Sequence, residues 1–297
     1  MTKAKPLIKY IGNKYRSADF IISAFPSDCE TYYEPFAGSL AVLGRLKPKR
    51  SVVSDVIEPL IDMWKLVKAH PNDLVERYTE NWTIYVKDRR AAYEKIKARY
   101  NQSPNPHDFL FISRSCYGGV MRFRRDGYLS TPIGPHDAIS PQEFADRIAV
   151  WHQIVRNTEF VHGDFAKVIS QAGQNDIVYC DPPYVDSQKI IYGAQDFTLE
   201  RLYRTLLSAK SRGAFVALSI DGIKKSGTKN ISITPPQGLF EAECYVALGG
   251  SMLKRFWRDG LDVKDEHVKD RLLLSSERTI SQKDFFETDT PLISVAG

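Results

Sequence analysis

The run Asp176-Ile-Val-Tyr-Cys180 is short, apolar and rich in β-branched residues, and it closes on Asp181-Pro182-Pro183-Tyr184. With Gly173-Gln-Asn before it, such a run reads as a buried strand. Two prolines cannot extend a ladder, so the strand ends there and leaves a carboxylate at its carboxyl edge. In open α/β sheets that rim is where ligands bind. Each proline also lacks an N–H, so the carbonyls of Asp181 and Pro182 meet no local donor. A carboxylate oxygen, a carbonyl and the aromatic face of Tyr184 would form a receptor for a flat ring bearing an exocyclic amine. The competing reading is a strand-terminating turn with a capping Asp.

Alternating strand and helix patterns surround this segment. Tyr32 to Ser39 reads as a strand running into a tight turn, with a helix from about Leu40. Ser51 to Asp55 reads as a second strand ending in an acid, followed by a helix from about Pro59 to Ala69. Residues 71–156 are mostly helical, with a turn-rich ribbon near 114–134 that holds Gly118, Gly119, Gly127, Pro132, Gly134 and Pro135. Alternation resumes at Glu159–His162 and Ile177–Cys180, then a helix over Leu199–Lys210 and a strand over Ala214–Ile220. The pattern predicts an α/β fold: one parallel sheet carrying a helical insertion, not two independent domains. The boundaries fall at 1–58 and 157–297 for the sheet domain and 59–156 for the insertion. Residues 224–238 read as a mobile loop.

Length and composition limit the alternatives. With 297 residues, 43% hydrophobic and 26% charged, the chain suits a soluble globular protein of one large domain, or of one domain with a sizeable insertion. No apolar stretch approaches the roughly 20 residues of a membrane span. Lys3, Lys5, Lys9 and Lys14 surround only short apolar pieces, which predicts no signal peptide. Cys29, Cys116, Cys180 and Cys244 lack metal-type spacing and read as reduced thiols in a cytoplasmic protein with no metal.

The net charge of +5 is unevenly placed. Residues 85–130 hold ten basic against four acidic side chains, which leaves the rest of the chain near −1. Lys87 to Arg99 read as the solvated face of an amphipathic helix. Arg114 to Arg125 are instead interleaved with glycines and with Tyr117, Phe123 and Tyr128, the footprint of a nucleic-acid surface.

Other strand ends carry matching signals. The turn Phe36-Ala37-Gly38-Ser39 has only one glycine of the dinucleotide fingerprint, yet Gly38 allows a ligand close to the backbone. Asp55, at the end of the next strand, is placed to accept ribose hydroxyls. Asp164 could read an adenine amine and Phe165 could cover the ring. With no phosphate cradle, a nucleoside fits better than a dinucleotide. Singly, each acid reads as a helix N-cap; at successive sheet edges they read as a site.

Taken in order, Pro6-Leu7-Ile8-Lys9-Tyr10-Ile11-Gly12-Asn13-Lys14, Glu34-Pro35-Phe36-Ala37-Gly38-Ser39, Gly163-Asp164-Phe165 and Asp181-Pro182-Pro183-Tyr184 resemble the Dam family of DNA adenine-N6 methyltransferases, over roughly residues 3–275. These are the α-group, D12-class enzymes. The ribbon Cys116-Tyr117-Gly118-Gly119-Val120-Met121-Arg122, with Gly127 and Pro132-Ile133-Gly134, resembles the family's DNA-reading hairpin. The resemblance implies a Rossmann-like methyltransferase sheet, S-adenosyl-L-methionine as methyl donor, and a target adenine flipped from duplex DNA. It implies that Tyr10, Lys14, Phe36, Gly38, Asp55, Asp164 and Phe165 line the cofactor pocket. Asp181, the Pro182 carbonyl and Tyr184 would hold the adenine. Lys9, Tyr117, Arg122 and Pro132 would contact DNA, with Tyr117 wedged into the stack and Arg122 and Lys9 on guanines. A separate cognate restriction endonuclease is a further partner such enzymes can have. Ile57 and Gly118 stand where members often carry Asn; the first alters packing, and the second leaves the target open between GATC and a related short site.

The chemistry suits these residues. An adenine amine is a poor nucleophile because its lone pair is delocalised; hydrogen bonds to a carboxylate and a carbonyl favour the pyramidal nitrogen that attacks. One in-line displacement then needs neither metal nor covalent enzyme intermediate. Cys180, inside the strand, is poorly placed as a nucleophile. Two alternatives are an RNA or protein-glutamine methyltransferase, opposed by the ribbon, and a non-catalytic DNA-binding relative, opposed by an intact Asp181 and Tyr184.

Overall fold

The computed structural model describes residues 4–183, 197–221, 235–250 and 267–276. Five strands run parallel: β1 (Tyr32–Glu34), β2 (Ser51–Asp55), β3 (Thr158–His162), β4 (Ile177–Cys180) and β5 (Phe215–Asp221). β6 (Ala242–Gly250) and β7 (His267–Leu274) complete a seven-stranded sheet in the order β3-β2-β1-β4-β5-β7-β6, with β7 antiparallel to both neighbours. The sheet is the expected Rossmann-like α/β arrangement. The two antiparallel strands were not foreseen. Lys269-Asp270-Arg271 in the middle of β7 breaks any apolar alternation, and the strand is set by its ladders to β5 and β6.

Strands buried on both faces explain the apolar runs. Along β4, Ile177 and Tyr179 enter one core, whereas Val178 and Cys180 enter the other, the two-residue period of a strand. The second core is closed by the short α8 (Phe165–Ile169) and by α9 (Leu199–Ser211), which contributes Leu202 and Leu206. The first core is larger. It takes Leu43 from α2 (Ala41–Leu46) and Trp64 from α3 (Glu58–Ala69), and continues without a break into the helical region.

That region is α4 (Pro71–Tyr85), α5 (Arg89–Gln102), α6 (Pro106–Ser115) and α7 (Pro141–Val155). Their starts are readable: Asp88, Asn105 and Ser140 each accept a first-turn N–H, and Ser140-Pro141-Gln142-Glu143 combines a capping serine with proline at the first helical position. Tyr78, Phe111 and Phe144 form an aromatic cluster, with Tyr78 and Phe144 stacked at 4.0 Å. The first helix, α1 (Ala18–Ser23), follows an N-terminal segment tied to this region: Trp151 Nε1 donates to the Lys5 carbonyl at 2.9 Å, and Arg114 and Arg147 both donate to that of Pro6.

The expected ribbon is an antiparallel loop closed at both ends. Cys116 bridges Ile133 and Phe123 bridges Leu129, with Tyr117 N–H donating to the Pro132 carbonyl. Of the loop expected over 224–238, residues up to 234 lie outside the described residues. No described helix is long and apolar enough to cross a membrane.

Trp64 and Trp151 pack at 5.0 Å between ring centroids, and Gly44 of α2 faces them so closely that a Cβ would lie 2.5 Å from Trp151. Alanine normally stabilises a helix over glycine by about 1 kcal/mol. Here Gly44→Ala is expected to destabilise the fold by about 1–3 kcal/mol, since Trp151 cannot retreat into a close-packed core. Urea unfolding of the two proteins checks the sign.

Candidate active site

β1 lies between β2 and β4, so the chain moves outward through β2 and β3 but reappears on the opposite side at β4. The carboxyl ends of β1 and β4 therefore part over a crevice, the position at which doubly wound sheets hold ligands. A cavity of about 350 Å³ opens there. Tyr10, Lys14, Phe36, Gly38, Asp55, Asp164 and Phe165 all line it, and so do Asp181 and Pro182. Residues from four separate sequence motifs thus converge on one space. Tyr184 lies outside the described residues.

Backbone strain shapes one wall. Gly38 has φ +45°, and a Cβ on it would come 3.3 Å from the Tyr10 ring. Leu40, two residues on, also adopts a left-handed conformation (φ 53°), uncommon for a residue with a side chain. The turn is held by Asp55, whose Oδ2 accepts the Gly38 N–H at 3.3 Å and whose Oδ1 accepts the Ile57 N–H at 3.1 Å. Burial pushes the Asp55 carboxyl up to about 6, offset in part by those N–H donors. Asp55 thus braces the turn as well as facing the cavity.

The second wall carries a buried ion pair. Lys14 is only 4% exposed, and its Nζ lies 2.7 Å from Asp181 Oδ1 and 3.2 Å from the Gly12 carbonyl. Sequence reading assigned Lys14 to the cofactor and missed this contact, because 167 positions separate the partners. Glu34, at the end of β1, also lines the cavity. Its Oε2 accepts the Tyr32 hydroxyl at 2.9 Å and the Leu43 N–H at 3.2 Å. Burial pushes Glu34 up to about 8 despite those donors, and the neighbouring Asp181 adds to the rise. Cys180 is fully buried and its thiol is held well above the usual range, which leaves it inert.

Asp164 and Phe165 come from the start of α8. Asp164 Oδ1 accepts the Ala166 N–H at 2.9 Å, so the helix-cap reading is correct. The carboxylate also receives two bonds from Arg201, which sequence reasoning did not single out; nothing in the spacing connects α9 to this turn. Phe165 is 2% exposed and stacks on Phe36 at 5.5 Å, leaving Phe36 the more accessible ring.

The residues expected to contact DNA gather elsewhere. Arg122, Arg124, Arg125, Tyr128, Tyr117 and Pro132 are all exposed on the ribbon. Lys9 reaches the ribbon from the N-terminal segment: a Cβ on Gly119 would lie 2.8 Å from the Lys9 carbonyl carbon. Burial and the adjacent Arg114 lower the Lys9 ammonium below its ordinary range.

The basic stretch from Lys87 to Arg99 is exposed at Lys87, Arg90, Lys95 and Arg99, as an amphipathic helix face should be, but it is not solvated throughout. Lys97 is buried beside Glu94 and over the Tyr93 ring, Arg89 meets Asp137 and Tyr85, and Arg99 ties α5 to Asp108 of α6. Arg114, expected with the nucleic-acid face, is 4% exposed and serves the N-terminal segment; burial and Arg147 push its guanidinium down to about 10.

With this geometry in hand, comparison with known proteins is decisive. The profile of the D12 class N6 adenine-specific DNA methyltransferases matches residues 10–229. The chain belongs to this family. A DNA N-6-adenine-methyltransferase of Escherichia phage P1 is 27% identical over 231 residues, 73% of this chain and 30% of that protein. A DNA adenine methylase of Haemophilus influenzae is 26% identical over 191 residues, 63% of this chain and 66% of the relative. The Type II methyltransferase M.MjaIII of Methanocaldococcus jannaschii is 27% identical over 248 residues, 73% of this chain and 84% of its own. The chain thus spans less than two thirds of the first two relatives. The family implies a methyl donor.

Glu34 yields a measurable pH effect. Its folded value of about 8 lies above the roughly 4.3 of an exposed glutamate, so the folded chain keeps a proton that the unfolded chain releases. The associated stability is complete below about pH 4 and is lost as pH rises towards 8. Glu34→Gln, neutral throughout, should gain on the wild type in melting temperature between pH 5 and 8. A constant difference across that window would show Glu34 ionised in the folded protein.

Proposed function

We propose that this chain transfers the methyl group of S-adenosyl-L-methionine to N6 of an adenine flipped out of duplex DNA at a short specific site, acting in the cytoplasm. The observation that carries this reading is Asp181-Pro182 at the carboxyl end of β4, opening into the same cavity as Asp55 and Asp164. The cofactor supplies an electrophilic methyl group. Tyr10, Lys14, Phe36, Gly38, Asp55, Asp164 and Phe165 bind it, with the two aspartates accepting hydrogen bonds from its nucleoside. Asp181 and the Pro182 carbonyl accept from the adenine amine and draw the nitrogen towards the pyramidal form; Tyr184 stacks on the base. Lys14 neutralises and orients Asp181, so the acid faces the amine as a fixed acceptor. Positioning and fixed dipoles supply most of the acceleration.

Extrusion of the base costs a few kcal/mol of stacking. Tyr117 fills the gap in this reading, and Arg122, Lys9 and Pro132 contact the duplex; the exposure of Tyr117, Arg122 and Pro132 on the ribbon supports it. The ribbon favours DNA over an RNA or protein-glutamine substrate, and the Asp181–Lys14 pair favours an active enzyme over a silent binding module.

Modified-base sequencing of DNA from cells expressing the chain tests the reading: N6-methyladenine at one motif is expected, and its absence with folded protein would overturn it. Asp181→Asn keeps the shape beside Lys14 and should lower methyl transfer by at least about 10²-fold, with cofactor and DNA binding within about tenfold. Parallel loss of cofactor affinity and activity would make Asp181 a cofactor residue.

Target reading has its own signature. If Arg122 forks onto a guanine edge, Arg122→Ala should cost about 1–3 kcal/mol on the cognate site and relax choice at one base position. Binding to cognate and singly substituted sites at fixed salt measures this. A uniform drop across all sites would reduce Arg122 to a phosphate contact.

A further inference from the structure

Arg201 sits in the first turn of α9, where its own N–H is capped by Thr198 Oγ1 at 3.3 Å. The next residue, Leu202, and Leu206 one turn on are fully buried in the second core, so the backbone that carries Arg201 is anchored. From there the guanidinium reaches Asp164, with Nη1 on Oδ2 at 2.7 Å and Nη2 on Oδ1 at 2.6 Å. The same group lies over the Phe165 ring, 4.8 Å from its centroid. Phe165 in turn stacks on Phe36 and meets Phe197 edge-on at 5.9 Å. One side chain thus holds both residues of the turn that faces the cavity.

We infer that Arg201 is a positioning residue for the adenosyl half of the methyl donor, holding Asp164 and Phe165 in the arrangement that reads the adenine ring. The inference rests on the proposed role of Asp164 in cofactor recognition. A carboxylate that is 40% exposed would otherwise rotate, and fixing it on ligand binding would cost entropy. The two-point fork sets both the rotamer and the plane of the carboxylate, which a lysine cannot do. Arg201 also limits what Asp164 can accept. A carboxylate offers about four lone-pair sites. The Ala166 N–H and the two guanidinium bonds take three, which leaves one direction on Oδ2. One acceptor direction matches one N–H of an exocyclic amine. A ring with a carbonyl in that place would meet the carboxylate oxygen lone pair to lone pair. Discrimination for adenosine over inosine therefore depends on Arg201 as well as Asp164.

Calorimetry with S-adenosylmethionine and S-adenosylhomocysteine tests this on the full chain, using Arg201→Met, Arg201→Lys, Asp164→Ala and the double variant Asp164→Ala/Arg201→Met. Melting curves establish that each is folded. Arg201→Met should weaken both ligands about tenfold, and Arg201→Lys should recover part of the loss. The double variant should bind within about twofold of Asp164→Ala alone, because Arg201 acts through Asp164. In methyl transfer to unmethylated plasmid DNA, KM for the donor should rise while kcat at saturation stays within about twofold. A merely structural role would lower kcat and DNA binding together. Wild-type affinity in Arg201→Met, or losses that multiply in the double variant, would overturn the inference and leave the pocket reading intact. Wild-type affinity in Asp164→Ala would overturn both. Should Arg201→Met fail to fold, Arg201→Lys decides: unchanged donor affinity overturns the inference.

Discussion

The parallel pairing of β1 with β4 is the constraint on which the rest of the site depends. Tyr32 pairs with Ile177 and Tyr33 with Val178, so the ends of the two strands emerge side by side although about 145 residues separate them in the chain. Glu34-Pro35-Phe36 leaves one end and Asp181-Pro182 the other. Because chain order reverses between them, the crossover helices diverge to either side and leave a space for ligand. Placing two carboxylates at neighbouring strand ends is costly in a buried setting. The structure answers in two ways: Asp181 is paired with Lys14, and Glu34 keeps its proton.

The N-terminal segment joins the parts of the molecule. Leu7 and Ile8 are fully buried, and the carbonyls of Lys5 and Pro6 are bound by side chains of α6 and α7. Lys9 packs against Gly119 of the ribbon, Tyr10 against Gly38 of the turn after β1, and Lys14 against Asp181. Three residues within six positions therefore touch the ribbon, the cavity wall and the proposed catalytic acid.

Charge is divided by location. Inside the cavity Lys14 is paired with Asp181, while the exposed ribbon carries Arg122, Arg124 and Arg125. Much of the remaining basic charge is spent inside the insertion. Arg99 joins α5 to α4 and α6, Arg114 and Arg147 hold the N-terminal segment, and Lys97 reaches the Thr131 carbonyl of the ribbon.

The sequence by itself determined the sheet class, its five parallel strands, the helices between β2 and β3 and the motifs that line the cavity. Those features are local: apolar runs bounded by Gly, Pro and Asp, capping residues before helices, and acids at strand ends all act within a few positions. Tertiary structure alone decided the contacts that cross the chain. Lys14 reaches Asp181 over 167 positions and Arg201 reaches Asp164 over 37, and no periodicity links either pair. It also decided that β6 and β7 are strands, that Arg114 is buried and that Lys97 packs on Tyr93. Charge pairing and burial depend on which surfaces meet in space, and that is settled only when the strands have taken their order in the sheet.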